Sequence, residues 1–316
     1  MKISVAIAAY RGEKYITDQL VSIVNQTVMP DEVVITDDSP DDLTENEVRK
    51  FEKFLNIKYF RNPEQLGAAA NFNRALSLCT GDVVILADQD DQWYPWKIAS
   101  ILERFESGAL AVFCDSDVTD AYGDKCGYTH FDTRGYSDLR KSAPGLWQDQ
   151  LLCSCRRFPA AGHDMALKKE LLDKLLPIPP LENCHDNYLG VAAAALNAWE
   201  IIPSPLGTFR RHDQSTSGAG KKQSFFSQLK TARESIANDS FSWNFQLFSA
   251  VLDRLPDLPA AEKSLIRARI DHSAARMEMG KKNTSRFRLV MGEIRNGNYF
   301  RFGRGWKNVI QDLFLR

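Results

Sequence analysis

The sequence predicts an α/β protein in which helices flank a mostly parallel sheet and a helical extension follows. Over the first 110 residues, strand and helix signals alternate with short connections, as in sheets built from βαβ units. A chain of 316 residues that is 44% hydrophobic can bury a substantial core. Beyond Gly220 the signals become mainly helical, and Pro256 and Pro259 separate successive helices. We therefore expect a domain over residues 1–220, with halves 1–115 and 116–220, and a helical region over residues 221–316.

The elements of the first half follow from the spacing of apolar residues. Ile16, Leu20 and Ile23 recur at helical spacing, which predicts an amphipathic helix between the first two strands. Residues 83–87 form a continuous apolar run, which is typical of a parallel strand buried on both faces. The predicted strands span residues 3–9, 33–35, 57–60, 83–87 and 110–114. The other predicted helices of this half span residues 67–79 and 95–106.

The second half carries weaker signals. Residues 120–166 hold scattered glycine, proline and aromatic residues, so we expect irregular structure there that shapes a second binding site. Residues 185–196 predict a helix, because Tyr188, Leu189, Val191 and Ala192 fill one apolar face. No internal repeat and no low-complexity tract interrupts the pattern.

Composition restricts the class of protein. The formal net charge of −1 gives no general attraction to nucleic acid, and no recognised nucleic-acid-binding module is present. The six cysteines form no CxxC pair and the N-terminus has no secretory apolar segment, so we expect a reduced, cytoplasmic protein. Cys153, Cys155, Cys184 and His185 match no standard zinc spacing, and buried thiols are the favoured interpretation.

Three carboxylates directly follow the strand predicted over residues 83–87. Asp88, Asp90 and Asp91 would repel one another at neutral pH unless a cation or solvent neutralises them. A hard divalent ion, Mn²⁺ or Mg²⁺, suits oxygen ligands and keeps open positions for phosphate oxygens. Open α/β sheets bind ligands at the carboxyl ends of their strands, so a bound diphosphate is expected here. The alternative is a solvated acidic turn that caps the helix starting near Pro95.

Taken in order, the motifs of residues 2–213 resemble glycosyltransferase family 2, whose members are inverting enzymes of GT-A fold that use nucleotide diphosphate sugars. The rhamnosyltransferase-like branch is the most similar, so dTDP-rhamnose or a UDP-hexose is the expected donor. The chain departs from the family at Ala8-Ala9-Tyr10-Arg11, where Pro-x-Tyr-Asn is usual, and at His185, which replaces an acid. The motifs are residues 4–10, Gln26-Thr27, Asp37-Asp38-Ser39, Asn62, Gly67, Asn71, Asp88-Gln89-Asp90-Asp91 with Trp93, Pro95 and Lys97, residues 162–167, and His185-Asp186.

The resemblance implies a role for each group of residues. Asp186 is the expected catalytic base, which removes a proton from the acceptor hydroxyl; a plain helix N-cap is its alternative. Tyr10 is expected to stack on the base of the donor, and Asp38 to accept a hydrogen bond from it, although both residue types also suit turns. The expected metal ligands are Asp88, Asp90 and Asp91. The expected donor-binding residues are Ala8, Tyr10, Asp38, Asn71, Asp88, Asp90, Arg211 and His212, and the expected acceptor-side residues are His163, Asp164 and His185.

The last thirty residues mix aromatic and basic side chains. From Arg286 onward, seven basic residues face only Glu293 and Asp312. The mix suits a helix that meets anionic lipid, and it equally suits a helix packed on the protein with its basic face in water. The expected function is extension of a surface glycan, such as O-antigen or capsule, on a free or lipid-linked glycan acceptor. Two rival functions are a sugar-nucleotide pyrophosphorylase, which would need a glycine-rich loop where only Gly12 occurs, and a non-catalytic nucleotide-sugar-binding protein.

Overall fold

The computed structural model describes residues 1–136, 149–156, 161–181, 185–212, 240–279 and 285–314. Within these ranges the chain divides into two compact units. The first contains the described residues of Met1–Ser142 and Pro159–Gly218, and the second those of Ala143–Phe158 and Ala219–Arg316. The helix over residues 150–156 therefore groups with the C-terminal helices. The division expected at residue 220 had assigned these residues to the first domain. Residue 220 itself, Cys184 and the segment 214–220 lie outside the described residues.

A nine-stranded sheet forms the centre of the first unit, in the order β3-β2-β1-β4-β8-β6-β9-β5, with β7 added beside β6. Strands β3, β2, β1 and β4 run parallel, as predicted. Beyond β4 the sheet is mixed, because β8 runs antiparallel to both β4 and β6. The strands are β1 Ile3–Ala9, β2 Glu32–Asp37, β3 Ile57–Arg61, β4 Val83–Ala87, β5 Gln92–Trp93, β6 Ala111–Thr119, β7 Lys125–Thr129, β8 Met165–Lys168 and β9 Trp199–Arg210.

The helices of the first unit cover the sheet, and four of them, α1, α3, α4 and α8, occur where the sequence predicted them. In α1, Ile16, Leu20 and Ile23 are fully buried and join the core against β1 and β4. The acidic stretch after β2 also contains a short helix, α2, which the sequence analysis did not specify. These helices are α1 Ile16–Val24, α2 Leu43–Arg49, α3 Ala68–Leu78, α4 Lys97–Glu106, α5 His130–Thr133, α7 Lys169–Leu175 and α8 His185–Ala195.

The second half of the first unit is more regular than its sequence suggested. Strand β6 continues to Thr119, and β7, α5 and β8 all fall in the range 120–166 that was expected to be irregular. Polar residues within these strands concealed them, because Asp115, Ser116 and Asp117 interrupt the apolar run of β6. The longer β6 pairs with β9, which extends to Arg210.

The second unit is helical, as predicted. Its helices are α6 Gln150–Arg156, α9 Ser240–Arg254, α10 Ala260–Glu278, α11 Arg286–Arg295, α12 Asn298–Phe302 and α13 Trp306–Phe314. A small apolar core joins α11, α12 and α13 through Val290, Tyr299 and Val309. Among the described residues, no helix is both long enough and apolar enough to cross a membrane.

Candidate functional site

The first and fourth strands end side by side and bring Tyr10 close to the acid motif. Ile7 of β1 lies opposite Ala87 of β4 in the parallel register, so the segments that follow both strands leave the same edge of the sheet. Gln89 fixes this arrangement. Its side-chain Oε1 accepts a hydrogen bond from the Tyr10 backbone N–H at 2.9 Å, and its Nε2 donates to the Tyr10 carbonyl at 2.9 Å. The exposed Tyr10 ring is thereby held at the rim of the sheet.

Asp38 and Asn71 lie in one hydrogen-bond network at the end of β2. The Asp38 carboxylate accepts hydrogen bonds from Asn62 Nδ2 at 2.5 Å and from the Gly67 backbone N–H at 2.8 Å. Asn71 donates to the carbonyl of Ala9 at 3.0 Å, which ties α3 to the end of β1. The network orients Asp38, while lone pairs on its oxygens remain for a ligand.

Other residues around this end of the sheet have local roles. The neighbouring Asp37 accepts hydrogen bonds from the Ser39 backbone N–H at 2.8 Å and from the Ser39 hydroxyl at 2.6 Å, so it stabilises the turn after β2. Ala8 is half-buried and lies opposite Thr36 in the register of β1 and β2.

The three acids of the motif have different surroundings. Asp91 is 1% exposed, and its Oδ1 accepts a hydrogen bond from the Arg210 backbone N–H at 2.9 Å. Among the described residues, no hydrogen bond reaches its buried Oδ2. Asp90 lies 2.7 Å from His212, measured from Oδ2 to Nε2. Asp88 is the most exposed of the three, and its Oδ2 lies 3.6 Å from His163 Nδ1.

The electrostatics of this cluster favour a bound cation. Burial raises the pKa of Asp91 well above its usual range, and the nearby Asp90 and Asp88 raise it further, against the effect of His163. Burial and the charge of Asp88 likewise raise the pKa of Asp90. Burial alone would raise the pKa of Asp88 as well, but His163 lowers it. The three acids are only partly neutralised by His163 and His212, and a buried Asp91 oxygen receives no hydrogen bond from the described part of the chain. The residues therefore fit a divalent ion.

His163 and Asp164 lie beneath these acids, although both were expected on the acceptor side. Both side chains are buried, with 2% and 1% exposure, in the short turn before β8. Asp164 accepts a hydrogen bond from the Ser116 hydroxyl at 2.5 Å, and its Oδ1 lies 3.7 Å from the ammonium of the buried Lys97. An acceptor-side role for His163 and Asp164 stays a prediction, and their burial disfavours direct contact with an acceptor.

The end of β9 and the two residues that follow it also border the acid motif. Arg210 pairs with Asp18 at 2.8 Å and lies over the Tyr15 ring, 5.1 Å from its centroid. His212 stacks on the same ring, with 4.7 Å between centroids. Arg211 donates to the Tyr128 hydroxyl at 3.2 Å. Tyr15 is not among the predicted site residues, because an aromatic residue at the start of an amphipathic helix carries no distinguishing signal.

Asp186 lies at the start of α8, as predicted. Its Oδ1 accepts hydrogen bonds from the Asn187 backbone N–H at 2.7 Å and from the Asn187 amide at 2.8 Å. The preceding His185 stacks on Phe72 with 4.2 Å between centroids. A Cβ atom on Gly162 would stand only 2.5 Å from His185 Nε2, so the imidazole lies directly against the residue before His163. Through this contact the first residue of α8, His185, lies next to the segment that carries His163.

Comparison with known families and sequences gives consistent matches. The family model described as glycosyl transferase family 2 matches residues 4–174. An uncharacterized glycosyltransferase of Haemophilus influenzae is 33% identical over 243 residues, which cover 74% of this chain and 73% of the relative. One from Nostoc sp. is 30% identical over 218 residues, and the chain spans 65% of its length and aligns over 67% of its own. A UDP-Gal:alpha-D-GlcNAc-diphosphoundecaprenol beta-1,3-galactosyltransferase of Escherichia coli is 38% identical over 93 residues, or 28% of this chain and 34% of that one.

Solved structures share the fold at low sequence identity. TarS from S. aureus in complex with UDP aligns with 99% of this chain and 80% of its own, with a TM-score of 0.58 and 18% identity. The mannosyltransferase PcManGT from Pyrobaculum calidifontis in complex with GDP-Man and Mn²⁺ aligns with 100% of this chain and 88% of its own, with a TM-score of 0.52 and 18% identity. The predicted GT-A type α/β fold is confirmed.

Proposed function

Because the chain belongs to glycosyl transferase family 2, we propose that it transfers a sugar from a nucleotide diphosphate sugar to a surface-glycan acceptor with the help of a divalent metal. One observation carries this proposal. Asp88, Asp90 and Asp91 converge at the carboxyl edge of the parallel strands, where they meet His163 and His212. The acids lie beside the Tyr10 and Asp38 segments, so one diphosphate sugar can contact all of them.

Two features support the donor class. The exposed Tyr10 ring offers a flat face for a base, and the oriented Asp38 carboxylate can accept a hydrogen bond from a pyrimidine N–H. The related TarS structure contains UDP, and PcManGT contains GDP-Man and Mn²⁺. We propose dTDP-rhamnose or a UDP-hexose as the donor, bound with Mn²⁺ or Mg²⁺.

Asp88, Asp90 and Asp91 are the residues that would hold the metal. When bound, the ion stabilises the negative charge that builds up on the departing diphosphate. Arg211 and His212 stand at the same side of the site and add positive charge and hydrogen-bond donors there. The stacking of His212 and Arg210 on Tyr15 holds this segment close to the acids and limits the access of water.

The remaining chemical task is removal of a proton from the acceptor hydroxyl. Asp186 is the proposed base, because its carboxylate lies at the beginning of α8, the place that matches the family's catalytic acid motif. Two hydrogen bonds from Asn187 reach one of its oxygens, Oδ1, which orients the carboxylate. Its Oδ2 receives neither of them and can accept the proton. His185, fixed between Phe72 and Gly162, faces the same region.

The test of this proposal is the substitution Asp186→Asn. General bases contribute about 10² to 10⁴ in rate, so sugar transfer should fall by that factor while donor binding persists. Donor binding can be measured by the rise in melting temperature with a panel of nucleotide sugars and Mn²⁺. Unchanged transfer in the variant would remove Asp186 from the mechanism. A wild-type chain that binds nucleotide sugars without transferring them would favour the non-catalytic rival, and formation of nucleotide sugar from sugar phosphate would favour the pyrophosphorylase.

For the acceptor we propose a lipid-linked glycan, with the protein lying against the membrane that carries it. The Escherichia coli relative is named for a diphosphoundecaprenol-linked substrate. In the second unit, large apolar side chains of α11 and α13 are exposed, among them Phe287, Trp306, Ile310 and Phe314. Exposed aromatic residues next to basic ones suit the interface of an anionic bilayer.

A further inference from the structure

We propose that His163 is a nitrogen ligand of the divalent ion and that Asp164 orients it from behind. This inference rests on the proposed metal-dependent function and assigns a residue to it. The sequence analysis had placed His163 on the acceptor side. Its position in the sheet, its contacts with the acids and the support around its ring all favour the metal instead.

The sheet register brings His163 to the acid motif. Strand β8 runs antiparallel to β4, with Val83 opposite Lys168 and Ile85 opposite Ala166. Continuing this register by three residues from the pair Ile85 and Ala166 places His163 opposite Asp88. The turn before β8 therefore lies at the carboxyl end of β4, where the acids also lie. The position of His163 follows from strand pairing, which fixes it more firmly than a loop would.

One ring nitrogen of His163 faces two acids. Its Nδ1 lies 3.6 Å from Asp88 Oδ2 and 3.5 Å from Asp91 Oδ2. Both distances are too long for good hydrogen bonds, and both are short enough for one ion to bridge the groups. Together, one atom from each of Asp88, Asp91 and His163 lies within 4.8 Å of the others. The buried Asp91 Oδ2, which receives no hydrogen bond from the described residues, is aimed at the same point.

The other ring nitrogen faces a carboxylate that can orient the imidazole. His163 Nε2 lies 3.0 Å from Asp164 Oδ2. Histidines that bind metals commonly direct their second nitrogen to a carboxylate, which fixes the ring and increases its basicity. Asp164 is itself held by Ser116, and its charge is balanced by the nearby Lys97.

Two further contacts fix the plane and the backbone of His163. Its ring stacks on Phe209 with 5.0 Å between centroids and an interplanar angle of 5°. The buried Lys97 ammonium donates a hydrogen bond to the His163 carbonyl at 2.9 Å. Phe209 directly precedes Arg210, whose backbone N–H holds Asp91. The histidine and the acid are thus fixed by the same strand end, as a preorganised metal site requires.

A nitrogen ligand predicts a preference among metals. Mg²⁺ strongly prefers oxygen ligands, whereas first-row transition ions accept imidazole readily. Replacement of His163 by Gln should therefore lower Mn²⁺ affinity by about tenfold or more, as loss of metal-site residues does elsewhere. The affinity for Mg²⁺ should change less.

The direct measurement is pulsed electron paramagnetic resonance of Mn²⁺ bound to the full chain, which detects ¹⁴N nuclei of imidazoles attached to the ion. His212 contacts Asp90 and is the other histidine at the site, so two variants are compared. The ¹⁴N coupling should persist in His212→Gln and weaken in His163→Gln. His272→Gln is the control, because His272 is equally buried and belongs to the second unit, where its Nδ1 contacts Glu293. It should keep the coupling.

The outcomes separate the two proposals. Bound Mn²⁺ with no ¹⁴N coupling in His212→Gln would overturn the role of His163 and leave metal-dependent transfer intact. Failure of the wild-type chain to bind Mn²⁺ would count against both. The His212→Gln measurement decides the question even if His163→Gln does not fold, since it retains an unaltered His163.

Discussion

Gln89 lies in the middle of the acid motif, but its side chain serves the neighbouring strand. Two hydrogen bonds join its amide to the backbone of Tyr10, so the motif proposed to hold the metal also positions the ring proposed to bind the base. Gly12 is close to the same amide. An added Cβ atom at Gly12 would stand 2.3 Å from Gln89 Oε1. The glycine therefore leaves room for this pair of hydrogen bonds.

The substitution Gly12→Ala tests this arrangement. The new methyl group should displace the flexible end of Gln89 and break its contacts with Tyr10, which we expect to weaken donor affinity by about tenfold, the worth of one or two hydrogen bonds. Donor affinity can be followed by calorimetric titration. Gly292→Ala is the control, because a Cβ atom at Gly292 meets nothing within 4 Å. Unaltered donor affinity in Gly12→Ala would show that Gln89 does not position Tyr10 for binding.

At the scale of elements, helix α13 has one buried face and one exposed apolar face. Val309 and Asp312 point into the second unit and are buried. Trp306, Ile310 and Phe314, spaced four residues apart, form an outer stripe with exposures of 59%, 55% and 75%. The two acids of this C-terminal segment face inward, where Glu293 contacts His272 and Asp312 pairs with Arg276. The exposed charged residues of this segment are therefore basic.

Replacement of the stripe by serine at Trp306, Ile310 and Phe314 should reduce binding to anionic lipid vesicles by at least tenfold, because it removes the apolar surface that would enter the interface. Cosedimentation with phosphatidylglycerol vesicles measures the change. Tyr122→Ser, at a side chain that is 91% exposed in the first unit, is the control. Equal sedimentation of the triple variant and the wild type would exclude the stripe as the membrane contact.

At the scale of the whole molecule, the two units are stabilised differently. The first has an apolar core in which residues of β1, β2 and β4 are fully buried. The second has a small apolar core and a buried polar network. In that network Arg276 donates to both oxygens of Asp312, at 2.7 and 2.9 Å, and Tyr299 donates to the same carboxylate at 2.9 Å. A polar core of this kind depends on every partner being present.

The substitution Asp312→Asn should therefore destabilise the second unit by about 3 to 5 kcal/mol, since it removes the negative charge that accepts two hydrogen bonds from the buried Arg276. Hydrogen exchange of the amides in residues 240–314 measures this loss locally. Asp253→Asn, at an exposed position near the end of α9, provides the control and should change stability by less than about 0.5 kcal/mol. A decrease in the free energy of unfolding of less than about 1 kcal/mol in Asp312→Asn would mean that the ion pair does not stabilise the second unit.

Much of the fold could be predicted from local patterns. Strands β1 and β4 have the predicted bounds, and α8 begins at His185 as expected. The part of β6 beyond Cys114 was not predicted, because polar residues that form hydrogen bonds inside the protein interrupt its apolar pattern. The buried charges of the second unit were also missed, since a charged residue in a helix usually indicates a solvated face.

By itself, the sequence determined that acids follow a buried strand, that Tyr10 and Asp38 follow the first two strands, and that Asp186 begins a helix. Each of these is a property of adjacent residues. Parallel strands place their carboxyl ends at the same edge of a sheet, so local patterns alone predict that these residues lie close together. Only the tertiary structure placed His163 against Asp88 and Asp91. The antiparallel pairing of β8 with β4 joins segments far apart in the chain, and such a register depends on the whole sheet rather than on any local pattern.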